Sequence, residues 1–154
     1  MLQQASVEQI RQQQISRINT RLVIAMCYYP RGLKKEFSDD FRNILAPDRN
    51  LFKQWKEQEK IAGHEKAFIE TDYENRFYLS PIALYMLKSY TEESVATNKD
   101  IFFICQCEMG QRCHREILLL TAAKKYGANI GSLYHQYPTY EQRILQMDDT
   151  IKLW

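Results

Sequence analysis

Two uninterrupted apolar runs constrain the fold of this chain more than any other feature. Residues 22–29 read LVIAMCYY, and residues 101–105 read IFFIC. Neither run alternates apolar with polar residues, and β-branched or aromatic side chains are prominent in both. This pattern is typical of strands that are buried on both faces, as in a parallel sheet. The two runs therefore predict an α/β fold.

Length and composition favour one globular domain of ordinary size. The 154 residues are 45% hydrophobic and 26% charged, with only 5 Gly and 4 Pro. These values exclude collagen-like, low-complexity and globally disordered chains. We expect a helical leader over residues 1–19, with a polar, exposed helix at 5–17. A single three-layer α/β domain with a mainly parallel, Rossmann-like sheet should follow over 20–154.

Caps and apolar periodicity predict the helices of this domain. We expect a short helix at 37–42 with Ser38 as N-cap, helices at 49–60 and 64–78, a helix capped by Ser80, a helix from Cys113 to Gly127, and a C-terminal helix from Tyr140 onward. Residues 130–135 should return as a third parallel strand after a right-handed crossover.

Several features favour a cytoplasmic protein without a membrane partner. No apolar run approaches the roughly 18–20 residues that a membrane span needs. The start, MLQQASVEQIRQQQ, lacks the apolar region of a secretory signal. The 4 cysteines are too few and too clustered for a secreted disulfide scaffold. A net charge of +2 permits a nucleic-acid partner but gives no argument for one.

Reactive and charged residues are concentrated after the predicted strands, at the edge where parallel sheets bind ligands. We expect Cys27, Cys105, Cys113 and His135 to lie together at this edge. The candidate catalytic residues are Cys113, His114 and Cys107. The candidate ligand-binding residues are Tyr29, Arg31, Cys105, Glu108, Arg112, Arg115 and His135.

One interpretation of these residues is an anion pocket at the start of the 113–126 helix. Free backbone N–H groups there, with Arg112 and Arg115, would bind a phosphate or another anion, such as that of a nucleotide. A cysteine in this position would become a thiolate nucleophile, with His114 or His135 as acid or base. The loop from Cys107 to Arg112 superficially resembles those of rhodaneses and thiol phosphatases, although the phosphatase loop is one residue longer.

Two other interpretations remain open. In the first, Cys105, Cys107 and Cys113 hold zinc together with Cys27, His114 or His135. The spacing Cys-x-Cys-x5-Cys is unlike that of zinc knuckles, and residues two apart on a strand point to opposite faces. We therefore expect no bound zinc and no other cofactor. In the second, buried cysteines act as small apolar side chains, within a non-catalytic module that binds nucleic acid or protein.

The segment 103–115, FICQCEMGQRCHR, resembles a signature of the domain of unknown function 488 family, also called YeaO-like. Residues 29–33 (YPRGL) and 46–55 (APDRNLFKQW) are similar to two earlier segments of that family. The resemblance covers about residues 20–136. It implies a compact α/β domain with a polar rim at these motifs, and it implies no particular reaction. The chain departs from the family at Met26 and Cys27, which replace an acidic–basic pair, and at Cys107, which replaces an acidic residue.

Overall fold

The computed structural model describes residues 1–150 of the chain. Its strands are β1 (Leu2–Ser6), β2 (Thr20–Ile24), β3 (Asp40–Phe41) and β4 (Asp100–Cys105). Its α-helices are α1 (Val7–Arg11), α2 (Arg49–Ala62), α3 (His64–Glu70), α4 (Tyr73–Arg76), α5 (Pro81–Thr97), α6 (His114–Tyr126) and α7 (Pro138–Ile144). The strands form one parallel sheet in the order β1-β4-β2-β3. Helices flank this sheet, which confirms the predicted three-layer α/β fold.

Successive residues of the central strands are buried on opposite faces of the sheet. Val23 of β2 and Phe103 of β4 belong to a large core that includes residues of α2 to α7. Ile24 and Ile104 belong to a smaller core with Val7 and Ile10 of α1. Because both faces of the sheet are covered, the residues of β2 and β4 that point to either face must be apolar. This double burial explains the uninterrupted apolar runs in the sequence.

Several helix boundaries lie where the sequence predicts them. The Ser80 side chain accepts a hydrogen bond from the backbone N–H of Ala83, and Pro81 is the first residue of α5. Gly127 ends α6 with a φ of 68°, in the left-handed region that favours glycine. Within residues 1–150, no helix is both long and apolar enough to cross a membrane.

The predicted polar helix over 5–17 is wrong. Leu2–Ser6 form β1, which pairs in parallel with β4, and only Val7–Arg11 are helical. The glutamines of this segment hide the strand in the sequence, but Leu2 and Ala5 are completely buried. The start of the chain is therefore part of the sheet rather than an exposed leader.

The segment between β2 and α2 also differs from the predicted structure. β2 ends at Ile24, although the apolar run continues to residue 29. The predicted helix at 37–42 is replaced by a 3₁₀ turn and β3, and Ser38 caps no helix. The backbone N–H of Arg42 donates to the carbonyl of Ile24, so pairing with the sheet outweighs helix formation in this segment.

Residues 130–135 do not form the predicted third strand. Only Ile130 bridges β1, opposite Leu2, and the chain then leaves the sheet. The carboxylate of Glu116 binds the backbone N–H of Tyr134 and the ring of His135. These two hydrogen bonds hold residues 130–135 against α6 rather than beside a neighbouring strand.

Two other predicted helices are shorter than expected. The helix predicted over 64–78 is broken between α3 and α4, where Asp72 adopts a left-handed conformation with a φ of 52°. The C-terminal helix, α7, begins at Pro138 and ends at Ile144. The end of the predicted C-terminal helix, residues 151–154, lies outside the described residues.

Candidate active site

A cleft of about 670 Å³ opens at the carboxyl edge of the sheet, beyond β2 and β4. This is the edge at which open parallel sheets bind ligands. Cys105, Cys107, Cys113 and His114 form its floor, and Cys27 lies beside them. The structure therefore brings all the cysteines and the tentative catalytic histidine to one cleft.

The floor of the cleft contains a compact group of sulfur and nitrogen atoms. One donor atom from each of Cys105, Cys113 and His114 lies within 4.8 Å of the other two. Cys105 is the last residue of β4, Cys113 is the N-cap of α6, and His114 is the first residue of that helix. The strand–loop–helix connection folds these residues together, and no more than 8% of any of the three is exposed. We call these three residues the Cys–His cluster.

Hydrogen bonds and charge define the state of this cluster. Cys105 shares one hydrogen bond with Cys107, whose Sγ lies 3.9 Å from its own, and another with Cys113. These two bonds hold the pKa of Cys105 well below its usual value. Burial lowers the pKa of His114, but the Cys113 and Cys105 sulfurs outweigh burial and raise this pKa well above its usual value. The same bond between Cys105 and Cys107 raises the pKa of the Cys107 thiol. In the absence of a metal, these interactions therefore favour a thiolate at Cys105 beside a protonated His114 ring.

Cys27 lies in the cleft but outside this cluster. Its Sγ donates a hydrogen bond to the carbonyl of Pro47 at 3.1 Å, and burial raises the pKa of its thiol. A protonated thiol that is already bonded to a carbonyl is poorly suited to nucleophilic chemistry.

Arg115 lies beneath the loop after β4 and does not line the cleft. Its side chain is completely buried. Its Nη1 donates to the carbonyls of Ala5 and Cys107, each at 2.9 Å, and its Nη2 donates to the carbonyl of Glu108 at 3.3 Å. The Nη donors are turned towards backbone carbonyls, whereas the buried Nε has no hydrogen-bond partner among the described residues. This placement does not support the expected contact of Arg115 with a ligand anion, which stays a prediction.

Arg112 lines the cleft, but it is already paired. Its Nε donates to the carboxylate of Glu65 at 2.6 Å, and its Nη1 donates to the carbonyl of Gln136 at 2.8 Å. Glu108, another candidate residue, lines the same side of the cleft.

The rim formed by the segment after β2 carries a cation without an ionic partner within residues 1–150. Tyr29 and Arg31 both line the cleft. In the part of the chain that the structure describes, the Arg31 side chain is exposed and forms no ion pair. The Tyr29 hydroxyl lies 3.3 Å from that of Ser38. Arg31 is therefore available to a ligand.

The opposite wall comes from α2 and α3, which the sequence analysis did not assign to the site. Phe52 and Trp55 are stacked with ring centroids 6.5 Å apart, and the Lys56 Nζ lies 5.9 Å from each ring. His64 also lines this wall, and its ring bonds Glu59 and the carbonyl of Arg112. The apolar face of α2 predicts that Phe52 and Trp55 are partly buried, but only tertiary packing shows that they face the cysteines.

His135 is the candidate residue that the structure separates from the others. Its Nδ1 lies 2.8 Å from the fully buried carboxylate of Glu116, and it does not line the cleft. The same carboxylate accepts a hydrogen bond from the Tyr137 hydroxyl at 2.8 Å. Because residues 130–135 are not a strand, His135 does not reach the edge where the sequence analysis placed it.

A comparison with family models places these residues in a known family. Residues 5–125 match the model DUF488-N3a, described as the "Active DUF488-N3 subclade". No curated protein and no solved structure matches the chain. The family match includes most of the elements that build the cleft and all of the cysteines. The chain belongs to the DUF488 family.

Proposed function

We propose that the cleft binds a nucleotide, or a similar ligand with a phosphate beside an aromatic group, and that the Cys–His cluster makes the protein a thiol-dependent enzyme. The observation that carries this proposal is the combination of available cations and aromatic rings above a charged thiolate. A purely structural cluster has no need of a ligand-sized cleft above it.

Charge favours an anionic ligand. Four arginine or lysine side chains line the cleft, against two glutamates. One of these glutamates, Glu59, is already bonded to His64. Arg31 and Lys56 form no ion pair within residues 1–150, so a phosphate would gain new charge-assisted hydrogen bonds from both side chains.

The aromatic wall favours a ligand that also has a flat ring. Tyr28, Phe52 and Trp55 line the same cleft as these cations. Stacking of a base on one such ring contributes about 1–3 kcal/mol in single-stranded nucleic-acid complexes. A base against this wall and a phosphate at Arg31 or Lys56 would fill the cleft above Cys105.

The cluster supplies the chemistry under this proposal. A thiolate beside a positively charged imidazole is the usual arrangement of a reactive cysteine. The description of the matched family model as an active subclade is consistent with an enzyme. Hydrogen bonds lower the pKa of Cys105, so this residue replaces Cys113 and Cys107 as the favoured reactive residue.

The ligand proposal is tested by calorimetric titration with a nucleoside monophosphate, the free nucleoside and inorganic phosphate. We expect the nucleotide to bind most tightly, and we expect Arg31→Gln and Lys56→Gln each to weaken it by about tenfold, or about 1.4 kcal/mol. Lys53→Gln is the matched control, since Lys53 is exposed on the same helix but does not line the cleft. Equal effects of all three variants, or no binding of any ligand, would contradict the proposal.

The catalytic proposal is tested by following consumption of the bound nucleotide chromatographically. Cys105→Ala should abolish turnover and leave nucleotide affinity within about threefold, because the thiolate reacts with the ligand but does not provide its main binding contacts. Binding without any turnover by the wild type would instead indicate a non-catalytic binding module.

A further inference from the structure

The Cys–His cluster has the dimensions of a zinc site. A tetrahedral zinc ion with Zn–S bonds of about 2.3 Å and a Zn–N bond of about 2.0–2.1 Å separates two sulfurs by about 3.8 Å, and a sulfur from a nitrogen by about 3.5 Å. In the structure, the donor atoms of Cys105, Cys113 and His114 all lie within 4.8 Å of one another, and the Cys113 Sγ is 3.5 Å from the His114 Nδ1. These separations agree with shared coordination of one ion.

The hydrogen bond of the His114 Nε2 leaves the other ring nitrogen, Nδ1, to bind a metal. Its Nε2 bonds the carbonyl of Ala25. A carbonyl only accepts, so Nε2 carries the proton and donates it. In a neutral ring this leaves the lone pair on Nδ1, which faces Cys113. A second hydrogen bond of this kind fixes the tautomer and the ring orientation of metal-binding histidines.

Alternation of side chains does not separate the Cys105 and Cys107 sulfurs, because β4 ends at Cys105. Alternation of side chains applies within a strand, whereas Cys107 lies in the following turn and brings its sulfur back towards Cys105. The carbonyls of Cys105 and Cys107 both accept hydrogen bonds from the buried Arg115. This guanidinium fixes the turn and places a positive charge beneath the sulfurs.

We propose that Cys105, Cys113 and His114 bind one zinc ion, whose fourth position opens to the cleft. Thiolates and an imidazole are the ligands that zinc prefers among the common divalent metals. This inference does not rest on the nucleotide proposal, because the ligand atoms are in place without any occupant of the cleft. A Cys105 sulfur that binds zinc is not a free nucleophile, so the zinc site and the reactive Cys105 of the catalytic proposal exclude each other, whereas nucleotide binding is compatible with both.

The test measures metal in untagged protein that has been purified with zinc and then dialysed. We expect a zinc-to-chain ratio of about one in the wild type and in Cys27→Ser, the control for a buried cleft cysteine outside the cluster. Cys105→Ser and Cys113→Ser should retain less than about one tenth of this zinc. A wild-type ratio near zero, or an equal loss in Cys27→Ser, would overturn the proposal.

Replacement of zinc by Co²⁺ in the wild type does not depend on whether the cysteine variants fold. The two thiolate ligands should give sulfur-to-cobalt charge-transfer absorption, and Cys107→Ser should keep both the metal and this absorption. No charge-transfer absorption in folded wild-type protein, together with rapid alkylation of Cys105, would overturn the zinc site. Nucleotide titration of the same sample shows separately whether the cleft proposal holds.

Discussion

Replacement of Arg115 by methionine tests whether this buried cation is structural. Its guanidinium donates to the carbonyls of Ala5 and Cys107 at 2.9 Å, and it makes longer bonds to Cys105 and Glu108. Each hydrogen bond to a charged group contributes about 1.5–3 kcal/mol. The two short bonds together therefore predict that Arg115→Met lowers the free energy of unfolding by about 3–6 kcal/mol.

The assay is urea unfolding followed by far-UV circular dichroism, with equal m-values as the check that both proteins unfold from similar states. Arg31→Met is the control, because Arg31 is exposed and unpaired within residues 1–150, and we expect a change of less than about 0.5 kcal/mol. A loss below about 1 kcal/mol in Arg115→Met would refute the structural role and restore Arg115 as a candidate for ligand binding.

Three further predictions concern Leu2, Gly127 and Asp39. Leu2→Ala should cost about 2–5 kcal/mol in urea unfolding, because Leu2 is buried in β1; a negligible cost would restore the exposed leader. Gly127→Ala should cost about 1 kcal/mol at its φ of 68°, and an unchanged stability would contradict this. Burial raises the pKa of Asp39, but hydrogen bonds from Arg17 and the backbone of Leu22 outweigh burial and lower it. The stabilisation by Asp39 should therefore be complete above about pH 5 and disappear as the pH falls below about 4. The test compares the free energy of unfolding of Asp39→Asn with that of the wild type across this pH range. The variant should approach wild-type stability only at low pH, and a difference that grows as the pH falls would contradict the prediction.

The central elements were predictable because their signals are local. The apolar run that forms β4, the cap at Ser80 and the stop at Gly127 each depend on a few neighbouring residues. Edge elements gave weaker signals. β1 contains three polar residues among five, and its pairing with β4 depends on contacts across about 100 residues of sequence.

The residues of the candidate site also differ in whether local sequence or tertiary packing determines their position. Cys105, Cys113 and His114 lie within one strand–loop–helix connection, so their proximity follows from local structure. Trp55 and Lys56 come from a distant helix, and only the packing of α2 with α3 and α4 places them in the cleft that the cysteines also line. His135 was misplaced because the segment before it binds Glu116 rather than a neighbouring strand.

The most direct test of the whole site is a crystal structure of the protein grown with a nucleoside monophosphate. We predict a phosphate within about 3 Å of the Arg31 or Lys56 side-chain nitrogens, a base against Trp55, and the reactive end of the ligand above Cys105. A nucleotide bound at another surface, with an empty cleft above the cysteines, would contradict the account.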